Sequence, residues 1–145
     1  MDTSTRVEQL LTDKGREVYT ISPDATVLEA LQKLAEHNIG ALPVTENGRL
    51  AGIFSERDYA RKVILRGRAS RDTPVRESMT ADVVTVTLTD DMAHCMQLMT
   101  AKRIRHLPVL EDGNLIGLIS VGDVVKAVMD EQKFMIEQLE SYIRS

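Results

Sequence analysis

Residues 18–64 of this chain recur, without a gap, 65 positions later. Fourteen of the 47 aligned pairs are identical, among them Ile39/Ile104, Leu42/Leu107, Pro43/Pro108, Val44/Val109, Gly48/Gly113, Gly52/Gly117, Ser55/Ser120 and Asp58/Asp123. Many of the other pairs exchange one apolar residue for another. Self-similarity at a fixed offset marks a duplicated structural unit. A unit of about fifty residues buries too little surface to be stable alone. The chain is therefore expected to fold as two like halves packed on each other, related by a pseudo-twofold axis, with two related clefts between them.

Each copy reads in the same order. VYTIS and VVTVT are β-rich openings. A helix follows: in the first copy Thr26 and Glu29 form a T-x-x-E capping box. Val27, Leu28, Leu31, Leu34 and Ala35 then recur at helical spacing. The matching stripe in the second copy is Met92, Cys95, Met96 and Met99, read as core filling rather than a metal or redox face. Two short strands come next, ALPVT and RLAGIFS in one copy, HLPVL and NLIGLIS in the other. ENG and EDG join them, and Asn-Gly and Asp-Gly favour tight hairpins because the turn needs positive φ. A further helix begins at Glu56, running to Arg66, and at Val121. The fold class is α+β: two β-α-β-β-α repeats packed sheet to sheet. The expected divisions are 1–17, a helical lead-in; 18–65, repeat 1; 66–78, a linker; 79–130, repeat 2; and 131–145, a helical extension.

Composition narrows the function. The net charge of −4 supplies no basic field to recruit nucleic acid. The single Cys95 has no disulfide partner, as in a reducing compartment. No signal-like or membrane-spanning apolar run occurs, so the expected address is cytoplasmic with no membrane partner. The linker RGRASRDTPVRES reads as a solvated connection. The alternative is that some of Arg66, Arg68, Arg71 and Arg76 face a bound anion. His37 and His94 lie on charged helix faces and carry no assignment.

Taken together, IGALPV and IRHLPV, the SMTADVVTV lead-in, and GIFSERD and GLISVGD resemble a tandem CBS-domain protein, or Bateman module, over residues 5–130. The resemblance implies a stand-alone pair without an attached enzyme or channel. It implies binding of adenosine-containing ligands such as AMP, ADP, ATP or NAD(H), as in sensors of energy or cofactor state. It also implies that Asp58 and Asp123 accept the ribose diol, a role an ionised carboxylate fits.

Ser55 and Ser120 stand just before a helix, where N–H groups and the helix dipole favour phosphate. The same S-x-x-D pattern also caps helices, and one Ser is able to serve both ends. The base would sit against Thr20 and Ile21, or Thr85, and against the turns holding Gly40, Leu42 and Pro43, or Arg105, His106 and Pro108. Thr80, in the second lead-in, joins the candidate set. Arg57 and Arg61 are candidates for phosphate oxygens, or members of a solvated helix face. The inserts differ, Glu56-Arg57 against Val121-Gly122, so two non-equivalent sites are expected.

Val121, Val124, Val125, Val128, Met135, Leu139, Tyr142 and Ile143 share a helical face broken by Gln132. This face is expected to form a homodimer contact; packing on its own chain is the alternative. No catalytic or metal-ligand constellation is present, so the chain reads as a non-enzyme. The leading reading is a regulatory module acting on a partner in trans. The runner-up is an interaction module that dimerises without a physiological ligand, and nucleic-acid binding through the Arg-rich linker comes third.

Overall fold

The structure, a computed structural model, describes residues 4–144; the first three residues of the expected lead-in and the last of the expected extension lie outside them. The elements are α1 (Val7–Lys14), α2 (Val27–His37), β1 (Ala41–Glu46), β2 (Arg49–Ser55), α3 (Glu56–Tyr59), α4 (Met92–Lys102), β3 (His106–Glu111), β4 (Asn114–Ser120) and α5 (Val121–Arg144). Both hairpins form as expected, β1 with β2 and β3 with β4. Their turns are set by residues at positive φ: Asn47 and Gly48 at 54° and 77°, Asp112 and Gly113 at 52° and 81°. Two consecutive positive φ values are the two-residue hairpin solution that Asn-Gly and Asp-Gly favour.

The helices start where the sequence caps them. Thr26 and Glu29 make both arms of the capping box on α2, and the Asp91 side chain accepts the His94 N–H on α4. Val27, Ala30 and Leu34 are the buried residues of α2, and Met92, Cys95 and Met99 those of α4. Ala35 and Met96, expected on these faces, are exposed, while Ala30 is fully buried in their place.

Two expected elements are shorter. The openings VYTIS and VVTVT contribute one parallel bridge each, Ile21 to Val44 and Val86 to Val109. Ile21 donates to the Pro43 carbonyl and accepts from Thr45; Val86 donates to Pro108 and accepts from Leu110. The helix expected over 56–66 is α-helical for only four residues, then π-helical over Ala60–Ile64.

The chain divides into two compact units. One holds Val18–Val83 with Asp112–Leu115; the other holds the chain up to Glu17, Val84–Glu111 and the chain from Ile116 onward. Each unit thus combines one repeat with the segment that precedes the other repeat, an exchange the repeat pattern did not reveal. In the first unit, Val27 donates to Thr73, Val75 to Ala25 and Arg76 to Pro23. In the second, Met92 donates to Thr5, Val7 to Asp90 and Glu8 to Leu88. The repeat residues in these two sets are 65 apart, and the lead-in residues are 68 apart (Thr5/Thr73, Val7/Val75, Glu8/Arg76). The two lead-ins are themselves copies.

The expected linker is therefore built in from Thr73: Thr73, Val75 and Ser78 are buried. Arg68 pairs with Glu77, and Arg76 with Glu46 and Asp24, so these two arginines neutralise acids of their own unit. Gly52 and Gly117 are small for the same reason. A Cβ on Gly52 would lie 2.6 Å from Met79 Sδ and 2.8 Å from the Thr80 carbonyl; one on Gly117 would lie 2.8 Å from Leu11 Cδ1. Met79 and Leu11 are again 68 apart.

Val7, Leu10 and Leu11 of α1 join Val86, Met92, Cys95, Met99, Leu107, Val109, Ile119 and Val124 in the core of the second unit. Phe54 anchors the core of the first, with Ile21, Val27, Ala30, Leu34, Leu42, Val44, Val63 and Val75. Leu11→Ala is expected to cost about 2–5 kcal/mol, the range for truncating a buried leucine. Urea unfolding checks this; a solvated lead-in would show a change within about 0.5 kcal/mol.

Candidate functional site

The S-x-x-D motif folds identically in both copies. The strand β2 or β4 ends at Ser, and the Asp three residues on reaches back to cap the new helix. The Ser55 N–H donates to Asp58 Oδ2 (2.9 Å) and the Ser120 N–H to Asp123 Oδ2 (2.8 Å). Each Asp N–H returns a bond of 3.2 Å to the Ser hydroxyl. The capping arrangement is thus present at both positions. It leaves the carboxylates held in fixed orientation at the start of α3 and α5.

Beyond the cap, the two carboxylates differ. Asp58 is 8% exposed, and its Oδ1 accepts from Thr80 Oγ1 (3.1 Å) and pairs with Lys62 Nζ (3.1 Å). The Ser55 hydroxyl also donates to Oδ2, at 3.0 Å. Both carboxylate oxygens of Asp58 are therefore engaged inside its own unit. Thr80 is brought there by the second lead-in, whose backbone exchanges bonds with Ile53 in both directions (2.9 and 2.8 Å).

In the second copy the first lead-in is helical, and a different residue arrives. Lys14, at the end of α1, donates to Asp123 Oδ2 and to the Leu118 carbonyl, both at 2.6 Å. Burial pushes the Asp123 carboxyl up, but the Lys14 ammonium and the Ser120 N–H outweigh it and hold the group below its ordinary value of 3.8. His106 is half-buried, and burial followed by the Lys14 charge lowers its pKa from 6.5 against the opposing pull of Asp123. Lys14 lines, with Asp123, a cavity of about 520 Å³ between α1 and the first turns of α5.

The expected candidates fall into two groups by unit. Thr20, Ile21, Gly40, Leu42, Pro43, Ser55, Arg57, Asp58, Arg61 and Thr80 lie in the first; Thr85, Arg105, His106, Pro108, Ser120 and Asp123 in the second. Ser55, Asp58 and Thr80 form one bonded cluster. The Gly40 and Arg105 carbonyls accept the Glu56 and Val121 N–H groups, which ties each turn to its S-x-x-D helix. Arg57 and Arg61 are exposed on and just beyond α3. The Leu42 side chain is fully buried in the core. Ile21, Pro43 and Pro108 act through the buried bridges described above. Sequence reasoning missed Lys62 and Lys14. Lys62 was detectable, since it follows Asp58 at the i,i+4 spacing of a helical ion pair. Lys14 lies 109 residues from Asp123, and no local pattern links them.

The CBS domain family matches residues 7–65 and 75–130. The chain belongs to the CBS domain family. It is a CBS pair. Among relatives, the Arabidopsis thaliana protein CBSX3, described as a mitochondrial CBS domain-containing protein, is 41% identical over 97% of this chain and 73% of its own length. A solved CBS-domain protein from Burkholderia ambifaria superposes with a TM-score of 0.85 at 50% identity, covering 88% of this chain and 96% of that one. The CBS domain pair of protein MJ0100, solved with 5′-methylthioadenosine and S-adenosylmethionine, gives a TM-score of 0.78 at 25% identity over 88% and 98% of the two chains. These relatives, matched over most of their own length, are CBS-domain proteins. No helix among the described residues is long and apolar enough to cross a membrane. Cys95 is buried, and burial pushes its thiol up to about 11, which removes it as a nucleophile at neutral pH.

Replacing Lys14 by Met is expected to raise the Asp123 pKa, read from its carboxyl carbon in an NMR pH titration. Because the folded-state value lies below 3.8, the pair's contribution to stability is complete above that pH. It is lost as pH falls through the lower folded value, so the variant should lose part of the acid dependence of unfolding.

Proposed function

We propose that this CBS pair is a regulatory module that binds adenosine-containing ligands, with Asp58 and Asp123 as the ribose acceptors, and acts on a partner in trans. The observation that carries this reading is the duplicated, pre-oriented carboxylate: each S-x-x-D motif fixes an Asp by the same two backbone bonds at the start of a helix. A vicinal diol needs such a fixed, ionised acceptor. The adenosyl ligands held by the MJ0100 pair support the ligand class. AMP, ADP, ATP and NAD(H) share the same adenosine half, and Arg57 and Arg61 stand near Asp58 for a phosphate. The buried free thiol Cys95 suits a reducing compartment such as the cytosol.

The module is further proposed to act as a homodimer through α5. Among the described residues past Glu131, every position of α5 is exposed. Val124 is buried and Val128 half-buried near its start, but Leu139, Tyr142 and Ile143 are 60, 82 and 81% exposed. Val125, Met129, Gln132, Ile136, Leu139 and Ile143 follow one another at alternating steps of four and three. That is the seam of a coiled coil, which a second copy of the same helix completes.

The alternative, a CBS pair that assembles without a physiological ligand, draws on the internal engagement of both carboxylates. A ligand screen by thermal unfolding separates the two. At a concentration 100-fold above Kd a bound ligand stabilises the fold by about 2.7 kcal/mol, and Asp58→Asn or Asp123→Asn is expected to reduce the shift. Silence across AMP, ATP, NAD(H) and adenosyl thioethers supports the ligand-free reading. For the dimer, Ile136→Glu combined with Leu139→Glu is expected to halve the mass seen by light scattering; an unchanged mass removes α5 from the interface.

A further inference from the structure

The two carboxylates sit in opposite charge environments. Around Asp58 the chain places Arg57, Arg61 and Lys62, with Glu56 as the one neighbouring acid on the same turns. At the positions 65 residues later α5 has Gly122, Lys126 and Ala127, and it continues into Asp130 and Glu131. The cavity beside Asp123 is lined by Asp13, Lys14, Lys126, Asp130 and Glu131 as well as Asp123 itself. Four acids face two lysines there, and one of those lysines is committed to the Asp123 carboxylate. A phosphate entering this cavity approaches a net negative surface, and like charges repel it.

Lys14 sharpens the contrast. Its ammonium shares Asp123 Oδ2 with the Ser120 N–H, so Oδ1 is the side left for a ligand diol. In the first copy the equivalent contact from the lead-in is the neutral hydroxyl of Thr80. One site thus carries an internal cation on the end of a flexible side chain, 38% exposed, which a cationic ligand group is able to replace. At the other, Lys62 pairs with Asp58 Oδ1, and Arg57 and Arg61 add two exposed cations on α3 and the helical turn after it.

We propose that the two carboxylates sort adenosyl ligands by charge: Asp58 takes phosphate-bearing nucleotides, whereas Asp123 takes uncharged or cationic adenosyl compounds, thioether or sulfonium, with Lys14 as the internal cation that a sulfonium displaces. This rests on the adenosyl-binding reading above. In it, Lys14 is the specificity-determining residue of the second site. Its removal leaves the pocket more acidic and favours a cation over a nucleotide.

Calorimetric titration of the full chain with AMP and with S-adenosylmethionine tests the assignment, using Asp58→Asn, Asp123→Asn and Lys14→Gln. Asn retains an oxygen for the helix cap. AMP affinity is expected to fall at least ~10-fold in Asp58→Asn and to hold in Asp123→Asn, with the reverse for S-adenosylmethionine. Lys14→Gln, which leaves the residues of both S-x-x-D motifs unchanged, is expected to raise the ratio of S-adenosylmethionine to AMP affinity several-fold, about 3 or more. If one aspartate carries both ligands, or the ratio is unchanged in Lys14→Gln, the sorting is overturned while adenosyl binding stands. If the wild-type chain binds neither ligand, the adenosyl reading falls and the sorting with it.

Discussion

The fold depends on the reciprocal seating of the two lead-ins. A two-stranded hairpin with one helix has no closed core, and its hydrophobic face needs further cover. Here the cover comes from the segment that precedes the other repeat. Three backbone bonds clamp each lead-in to the turn before α2 or α4, and a buried valine, Val75 or Val7, sits within the clamp. Because the bonds run through the backbone, they survive the divergence of the side chains between the two lead-ins. The same seating explains why Gly52 and Gly117 admit no side chain: Met79 and Leu11 occupy the space a Cβ would need.

From the same starting point the copies diverge. The second lead-in is a short 3₁₀ turn over Val75–Glu77 and then extends along β2, which places Thr80 on Asp58. The first continues as the α-helix Val7–Lys14, which carries Lys14 to Asp123. One duplicated acceptor therefore has a nearly closed form, bonded to Thr80 and Lys62, and a more open form paired with Lys14. That difference arises in the lead-ins and not in the S-x-x-D motifs, whose capping geometry matches to within 0.1 Å in the two bonds that define it.

Local signals proved readable wherever the chemistry is local. The capping box at Thr26 and Glu29, the Asn-Gly and Asp-Gly turns and the apolar faces of α2 and α4 all follow from steric and hydrogen-bonding preferences within four residues. The boundaries that failed are those set at a distance. Met96 sits at helical spacing with Met92 and Met99 but faces outward, and Ala30, small enough to escape a hydrophobicity count, is buried instead. RGRASRDTPVRES is polar by composition, yet Thr73, Val75 and Ser78 inside it are buried because they meet the other end of the repeat.

The amino-acid sequence by itself determined the duplication, the α+β order, the hairpins and the pair of carboxylates, because each is written in spacing and residue type. Tertiary structure alone decided which lead-in serves which repeat, and hence that Thr80 binds Asp58 while Lys14 binds Asp123. The physical reason is that a lysine or threonine has no periodic signature of its own. Its partner is chosen by where the backbone bonds of the lead-in bring it.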